Sequence, residues 1–248
     1  MTDGAADLFG RHERVAFQLS GGRDSVAALH VLRRCLPRMT VYFTDSGDVW
    51  PETLVVLHML EQRFGFRAVR IQSDAPGWRA RHGDPTDVLP VCATPLGQMV
   101  SGCPTRLCTR YECCWNNLML PMHQRMLADG ITCIVRGVRH GDYQTHPVRS
   151  GQEDGGIQAY YPIWDWDEPQ VDAYLEEHAL PRAPWYEQGA RHGSDCLTCT
   201  AWWDDGRQAY MRRHHPQAWQ ALRVRLSAIR QALAGDLALL EEQLASRG

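Results

Sequence analysis

Six residues, Ser20-Gly21-Gly22-Arg23-Asp24-Ser25, constrain this chain more than any other stretch. Before them Val15, Phe17 and Leu19 alternate with Ala16 and Gln18, the period of a strand. After them Val26-Ala27-Ala28-Leu29-His30-Val31-Leu32 reads as a helix leaving the turn. Strand, glycine turn and helix in this order bring unpaired N–H groups and the positive end of a helix dipole to one point, which makes an anion site. Two adjacent glycines admit backbone angles and a close ligand approach that a Cβ forbids. Ser20 and Ser25 add hydroxyl donors. Asp24 is suited either to capping the helix or to orienting a metal-bound phosphate. The spacing and the missing lysine exclude the Walker loop.

The pattern then repeats. Met39-Thr40-Val41-Tyr42-Phe43-Thr44 reads as a second strand running into Asp45-Ser46-Gly47. Pro51 and Glu52 suit the first turn of a helix to about Phe64, and Phe66 to Ile71 reads as a third strand. Strand–helix–strand with short turns implies an α/β protein with a doubly wound parallel sheet, whose ligands sit at the C-terminal strand ends. Asp45 falls at such an end. Ile131 to Val135 reads as a buried strand that ends in Arg136-Gly137-Val138-Arg139-His140, where two arginines beside a glycine suit an anionic ligand. Asp165 or Asp167 caps the helix that follows through Leu175. Residues 73–112 carry many glycines and prolines and are expected to be a long irregular segment, part of it a flap over the site. From Pro216, apolar residues at 219, 222, 226, 229, 233, 237, 240 and 244 form one helix stripe, which either packs on the domain or pairs two copies as a homodimer.

With 44% hydrophobic residues the chain can bury a proper core, and a net charge of −3 provides no global field for nucleic acid. No apolar run reaches membrane-spanning length and the first residues are polar, so a cytoplasmic protein without a membrane partner is expected. Nine cysteines in a reducing compartment point to metal ligands or reactive thiols. The spacing of Cys113-Cys114 and Cys196-x-x-Cys199 is the informative part. Four such thiols can hold zinc or an iron–sulfur cluster. A vicinal pair chelates one small ion awkwardly and is easier to place when each sulfur binds a different iron. Cys103 and Cys108 are alternative ligands; Cys35, Cys92 and Cys133 read as plain core or surface thiols.

The Ser20–Ser25 loop resembles the SGGxDS pyrophosphate loop of the PP-loop ATP pyrophosphatases, and the motifs taken together resemble the phosphoadenosine phosphosulfate reductase family. The matching pieces stand in order over residues 14–200: Ser20 to Ser25, Asp45-Ser46-Gly47 with Pro51-Glu52-Thr53, Gly137-Val138-Arg139, Pro162 to Trp166, and Gly193 to Thr200. The resemblance implies an adenine nucleotide α-hydrolase-like domain at 14–200 and a C-terminal helical extension at 201–248. It implies a 4Fe–4S cluster on Cys113, Cys114, Cys196 and Cys199. It also implies ATP with Mg²⁺ held by Ser20, Gly21, Gly22, Arg23, Asp24, Ser25, Asp45, Ser46, Gly47, Gly137 and Arg139, of which Asp24, Asp45 and Arg139 form the catalytic set. The chain departs from the sulfonucleotide reductases at two places. No cysteine follows Cys199, where those enzymes carry a tail nucleophile, and Asn117 and Leu118 stand where an Arg-Lys pair is usual. The expectation is therefore an ATP pyrophosphatase-type sulfur-transfer enzyme, related to those of DNA phosphorothioation. It would be served by a sulfur donor such as a cysteine desulfurase and would act on an acceptor that includes DNA or RNA among its candidates. The alternatives are a sulfonucleotide reductase using Cys103 or Cys108, and a redox-sensing nucleotide- and cluster-binding module.

Overall fold

The computed structural model describes residues 8–142, 148–190 and 196–245. In chain order the strands are β1 (Val15–Gln18), β2 (Met39–Asp45), β3 (Val69–Gln72), β4 (Asp84–Thr86), β5 (Leu107–Thr109), β6 (Cys133–Val135), β7 (Glu153–Asp154) and β8 (Ile157–Tyr160). The helices are α1 (Arg23–Val31), α2 (Pro51–Phe64), α3 (Ala75–His82), α4 (Pro95–Ser101), α5 (Arg110–Cys114), α6 (Leu120–Ala128), α7 (Glu168–Glu177), α8 (Asp205–His214) and α9 (Pro216–Ala245). Among the described residues no helix is long and apolar enough to cross a membrane.

The chain divides into two compact units, each built from separated segments. The first comprises residues 1–45, 49–72 and 120–184. Its six-stranded sheet has the order β3-β2-β1-β6-β8-β7, parallel throughout except for β7 against β8. The strands alternate as the sequence predicts, and both faces are covered. Val15, Phe17, Val41, Phe43 and Val135 pack with Leu29, Leu57, Leu60, Val171 and Leu175 from α1, α2 and α7. Ala16, Tyr42 and Ile71 pack on the other face with Met122 and Met126 of α6. Each fully buried leucine or phenylalanine here contributes about 1.5–3 kcal/mol of transfer free energy. The doubly wound α/β expectation holds, with shorter elements: α1 stops at Val31 and gives way to a 3₁₀ stretch containing Pro37, and the third strand begins at Val69.

The second unit comprises residues 46–48, 73–119 and 185–248. The long irregular segment expected over 73–112 is in fact organised as α3, β4, α4, β5 and the start of α5. The glycines and prolines that broke its periodicity are punctuation. Asp74 caps α3 by accepting from the Gly77 N–H, and Gly83 ends it. Thr94 caps α4, Pro95 opens it, and Gly102 closes it in the left-handed region at φ 67°. β4 and β5 pair in parallel. The first half of the α9 stripe is packed: Ile229, Leu226 and Leu233 lie with Ala93, Leu107 and Leu89. The last turns leave Leu237, Leu240 and Leu244 exposed.

Candidate functional site

The glycine loop stands at the C-terminal end of β1, where a parallel sheet presents its ligand site. Gly21 takes φ 79°, and a Cβ there would lie 2.7 Å from Thr53 Cγ2. Ser20 Oγ donates to Ser25 Oγ (3.1 Å), which in turn donates to the Gly22 carbonyl (2.8 Å), so the two hydroxyls tie the loop into one ring. The helix cap is Gly22, with no side-chain cap bond. Asp24 therefore does not cap α1. It lies in the first turn and faces Arg139.

Arg139 arrives from the loop after β6, the strand beside β1. That loop can come so close because position 137 is glycine: a Cβ there would sit 2.5 Å from the Asp24 carbonyl oxygen and 2.6 Å from the Ser25 nitrogen. Arg139 Nε lies 2.7 Å from Asp24 Oδ1, and Arg139 also bonds Asp142 through its backbone N–H (3.2 Å) and guanidinium (3.4 Å). The Asp24 contact is one of charge alone. Both Oδ1 and Nε are buried, and neither has a hydrogen-bond partner among the described residues. Burial pushes the Asp24 carboxyl above its ordinary pKa, with Arg139 opposing and Asp142 reinforcing. The ion pair sets a carboxylate and a guanidinium at a helix start, the one suited to a cation and the other to an anionic oxygen. Asp45 ends β2, the other neighbour of β1, and accepts from Gln72 Nε2 at 3.2 Å. Arg23 contributes only backbone to the loop, because its guanidinium is held by Glu168 and by Asp172 (3.0 Å) on α7.

Ser46 and Gly47 belong to the second unit, with the four cysteines. Ser46 is fully buried and its Oγ lies 3.3 Å from Cys196 Sγ. Cys113 and Cys114 close α5, which a Thr109/Glu112 capping box opens. Buried Asn117 donates to the Cys113 carbonyl at 2.9 Å, and its own carbonyl accepts from Ser73 Oγ at 2.6 Å. The residue that departs from the family pattern thus braces a predicted ligand. Gly193, Ser194 and Asp195 lie outside the described residues.

Three arginines and an aspartate, none of them singled out from sequence, hold the Cys196–Cys199 turn. Buried Arg207 donates to the carbonyls of Leu197 (2.8 Å), Trp202 (2.7 Å), Cys196 (3.4 Å) and Cys199 (3.4 Å). Asp48 accepts from Thr198 Oγ1 (2.7 Å) and Arg79 Nη2 (2.6 Å). Arg225 donates to the Thr198 carbonyl (2.7 Å) and to Asp84. Burial pushes the Cys113 thiol up to about 11, Arg79 pulls it down and Cys199 raises it again. Cys196 and Cys113 act on Arg79, as Cys199 and Cys196 act on Arg207. Among the described residues, no three His, Cys, Asp or Glu side chains converge as ligands of one ion. The fit to a cluster rests on donor chemistry: four thiols in one unit, buried guanidinium groups to offset thiolate charge, and a turn fixed by a rigid fork. A four-iron cluster also spaces its ligand sulfurs more widely than a single ion does. Cys108, the alternative ligand, is buried, and burial together with nearby Cys113 raises its thiol.

The phosphoadenosine phosphosulfate reductase domain model matches residues 14–87. The phosphoadenosine 5'-phosphosulfate reductase of Yersinia pseudotuberculosis is 30% identical over 192 residues, covering 74% of this chain and 69% of that protein. The adenosine 5'-phosphosulfate reductase of Allochromatium vinosum is 25% identical over 191 residues, covering 76% and 68%. Among solved structures, the phosphate complex of phosphoadenylyl-sulfate reductase from Candida auris superposes with a TM-score of 0.56 at 16% identity, over 77% of this chain and 85% of that one. That likeness is one of fold.

Proposed function

The chain belongs to the phosphoadenosine phosphosulfate reductase family, and from that premise we propose that it is an ATP-consuming sulfur-transfer enzyme of that family, carrying a 4Fe–4S cluster. The observation that carries the reading is the buried Asp24 carboxylate oxygen, ion-paired with Arg139 at the helix start. A carboxylate there repels a bare anion such as a sulfate ester and favours a nucleotide that arrives with a divalent cation. Mg²⁺, held by Asp24 and Asp45, would neutralise phosphate charge. Ser20 and Ser25 hydroxyls, the α1 N–H groups and Arg139 bind and orient the phosphates and stabilise charge that develops on them. In the reaction, an acceptor oxygen attacks the α-phosphorus of ATP and pyrophosphate leaves. The outer sulfur of a donor persulfide, such as one carried by a cysteine desulfurase, then displaces AMP, which takes the acceptor oxygen with it, and a thiol reductant cleaves the resulting disulfide to leave the thiolated acceptor. Cys113, Cys114, Cys196 and Cys199 would hold the cluster, which supplies a site for sulfur or a structural tie.

A second reading, sulfonucleotide reduction, draws support from the activities of the relatives. It needs a thiol nucleophile. The segment from Thr200 to Ala245 holds none and is largely taken up by α8 and α9, while buried Cys108 has a raised pKa that opposes thiolate formation. Pyrophosphate release from ATP, lost in Asp24→Ala, is the expected result. Sulfite formation from an adenylyl sulfate without ATP turnover would replace the first reading by the second. For the cluster, anaerobic iron and sulfide analysis should show loss in each of the four cysteine variants and retention in Cys35→Ser; equal iron in all five overturns the assignment.

A further inference from the structure

From Gly206 through Gly235 the chain has no carboxylate, yet carries six arginines and two histidines, in a protein whose net charge is −3. Arg207 and Arg225 are spent on the cysteine turn and on Asp84. Arg212, Arg213, Arg223 and Arg230 are exposed, and none of the four has an ion-pair partner among the described residues. Three of them share a line. The Arg212 guanidinium lies over the Trp219 ring at 5.5 Å. Trp219, Arg223 and Arg230 are spaced by four and seven residues and so fall on one face of α9, about 16 Å from end to end. Buried Leu222 and Ile229 mark the adjoining face, and partly buried Leu226 forms the edge between that face and the stripe.

We propose that this Arg212–Trp219–Arg223–Arg230 stripe is a docking surface for single-stranded nucleic acid. The inference deepens the proposed function by naming the acceptor class, and it rests on that reading for the chemistry, though not for the binding. Guanidinium groups on both sides of a half-exposed indole are what an unpaired strand needs: cations for phosphates and a flat platform for one base. A duplex keeps its bases stacked inside and leaves the indole unused. An anionic membrane fits less well, because the exposed leucines of α9 (Leu237, Leu240 and Leu244) stand among Asp236, Glu241 and Glu242, beyond the stripe.

The test is fluorescence anisotropy of the full chain with a labelled single-stranded oligonucleotide, without ATP, across a salt series. Three phosphate contacts predict that log affinity falls with log salt with a slope of about −2.1. Arg223→Gln/Arg230→Gln should bind at least about tenfold more weakly and flatten the slope by about 1.4, while Trp219→Ala should weaken binding by about fivefold with the slope unchanged. Circular dichroism of each variant establishes that it is folded, and the wild-type slope needs no variant. Absence of oligonucleotide binding at low salt, equal affinity in folded variants, or binding to phosphatidylserine vesicles in its place overturns the proposal. Parallel measurement of pyrophosphate release keeps the two readings apart. Oligonucleotide binding without ATP turnover removes the proposed reaction and leaves the surface, whereas ATP turnover without oligonucleotide binding removes the surface alone.

Discussion

Gly137→Ala tests the claim that the glycine loop is positioned by main-chain contact with the β6 loop. The added Cβ would meet the Asp24 oxygen at 2.5 Å, the Asp24 carbonyl carbon at 2.6 Å and the Ser25 nitrogen at 2.6 Å. Ordinary contact begins at 3.4 Å, so one backbone must retreat by about 0.9 Å. No rotamer change relieves the overlap, because all three obstructing atoms belong to the first turn of α1. Overpacking of this kind costs about 1–3 kcal/mol, which in a chain of this size lowers the melting temperature by roughly 3–9 °C. The shift falls on the groups proposed to bind phosphate, and a misplacement of about 1 Å costs on the order of a hundredfold in rate. Calorimetry and titration with Mg-ATP measure both effects. Gly235→Ala is the control: nothing lies within 4 Å of its Cβ and its helical position favours alanine, so stability should rise by up to about 1 kcal/mol. A Gly137→Ala protein that melts with the wild type and binds Mg-ATP equally well would refute the contact argument.

Arg207→Met should cost about 3 kcal/mol, since it strands the carbonyls of Cys196, Leu197, Cys199 and Trp202, and should lower iron retention along with the urea midpoint. An unchanged midpoint would mean that the clamp holds nothing. A carboxyl whose folded pKa is raised, as at Asp24, favours folding below its unfolded value of 3.8 and loses that contribution as pH rises through the folded value. Asp24→Asn is therefore expected to melt at or above the wild-type temperature at pH 7 while losing pyrophosphate release, and the stability gap should close near pH 3; a lower melting point at pH 7 would contradict the assigned burial. His30 is buried against Tyr174 (2.8 Å), and burial first, then Arg33 and His178, bring its pKa down to about 4. It stays neutral in the fold, so stability present above the unfolded value of 6.5 is lost as pH falls from there towards about 4. An NMR titration should find its ring silent near pH 6.5, and a midpoint there would sink the assignment.

The parts legible in the sequence are those whose physics is local. Alternation of Val15, Phe17 and Leu19, the two glycines and the following helix lie within about twenty residues, and the structure reproduces them. Asp24 is legible as a candidate site residue, but not its choice of facing Arg139 over capping α1. That choice depends on a loop more than a hundred residues away. Residues 73–112 were misread because glycine and proline break a periodicity and punctuate short helices equally well. The Arg207 clamp had no signal of its own. One arginine among many becomes distinctive only when the fold brings four carbonyls to it.

All 26 basic residues of the chain are arginine. Their distribution gives the charge a logic that composition hides. Where a backbone turn must be fixed, Arg207 and Arg225 serve as forks, each reaching several oxygens that lysine, as a point charge, would serve less specifically. At the glycine loop the buried Arg139 Nε and Asp24 Oδ1 meet in a charge contact without a hydrogen-bond partner among the described residues, an arrangement that a bound ligand would complete. On α8 and α9 the remaining arginines bond neither carbonyls nor carboxylates among the described residues. Substituting them should therefore leave the melting temperature within about 0.5 kcal/mol equivalent of the wild type, whereas loss of Arg207 should not. This contrast separates arginines that build the fold from those left available to a partner.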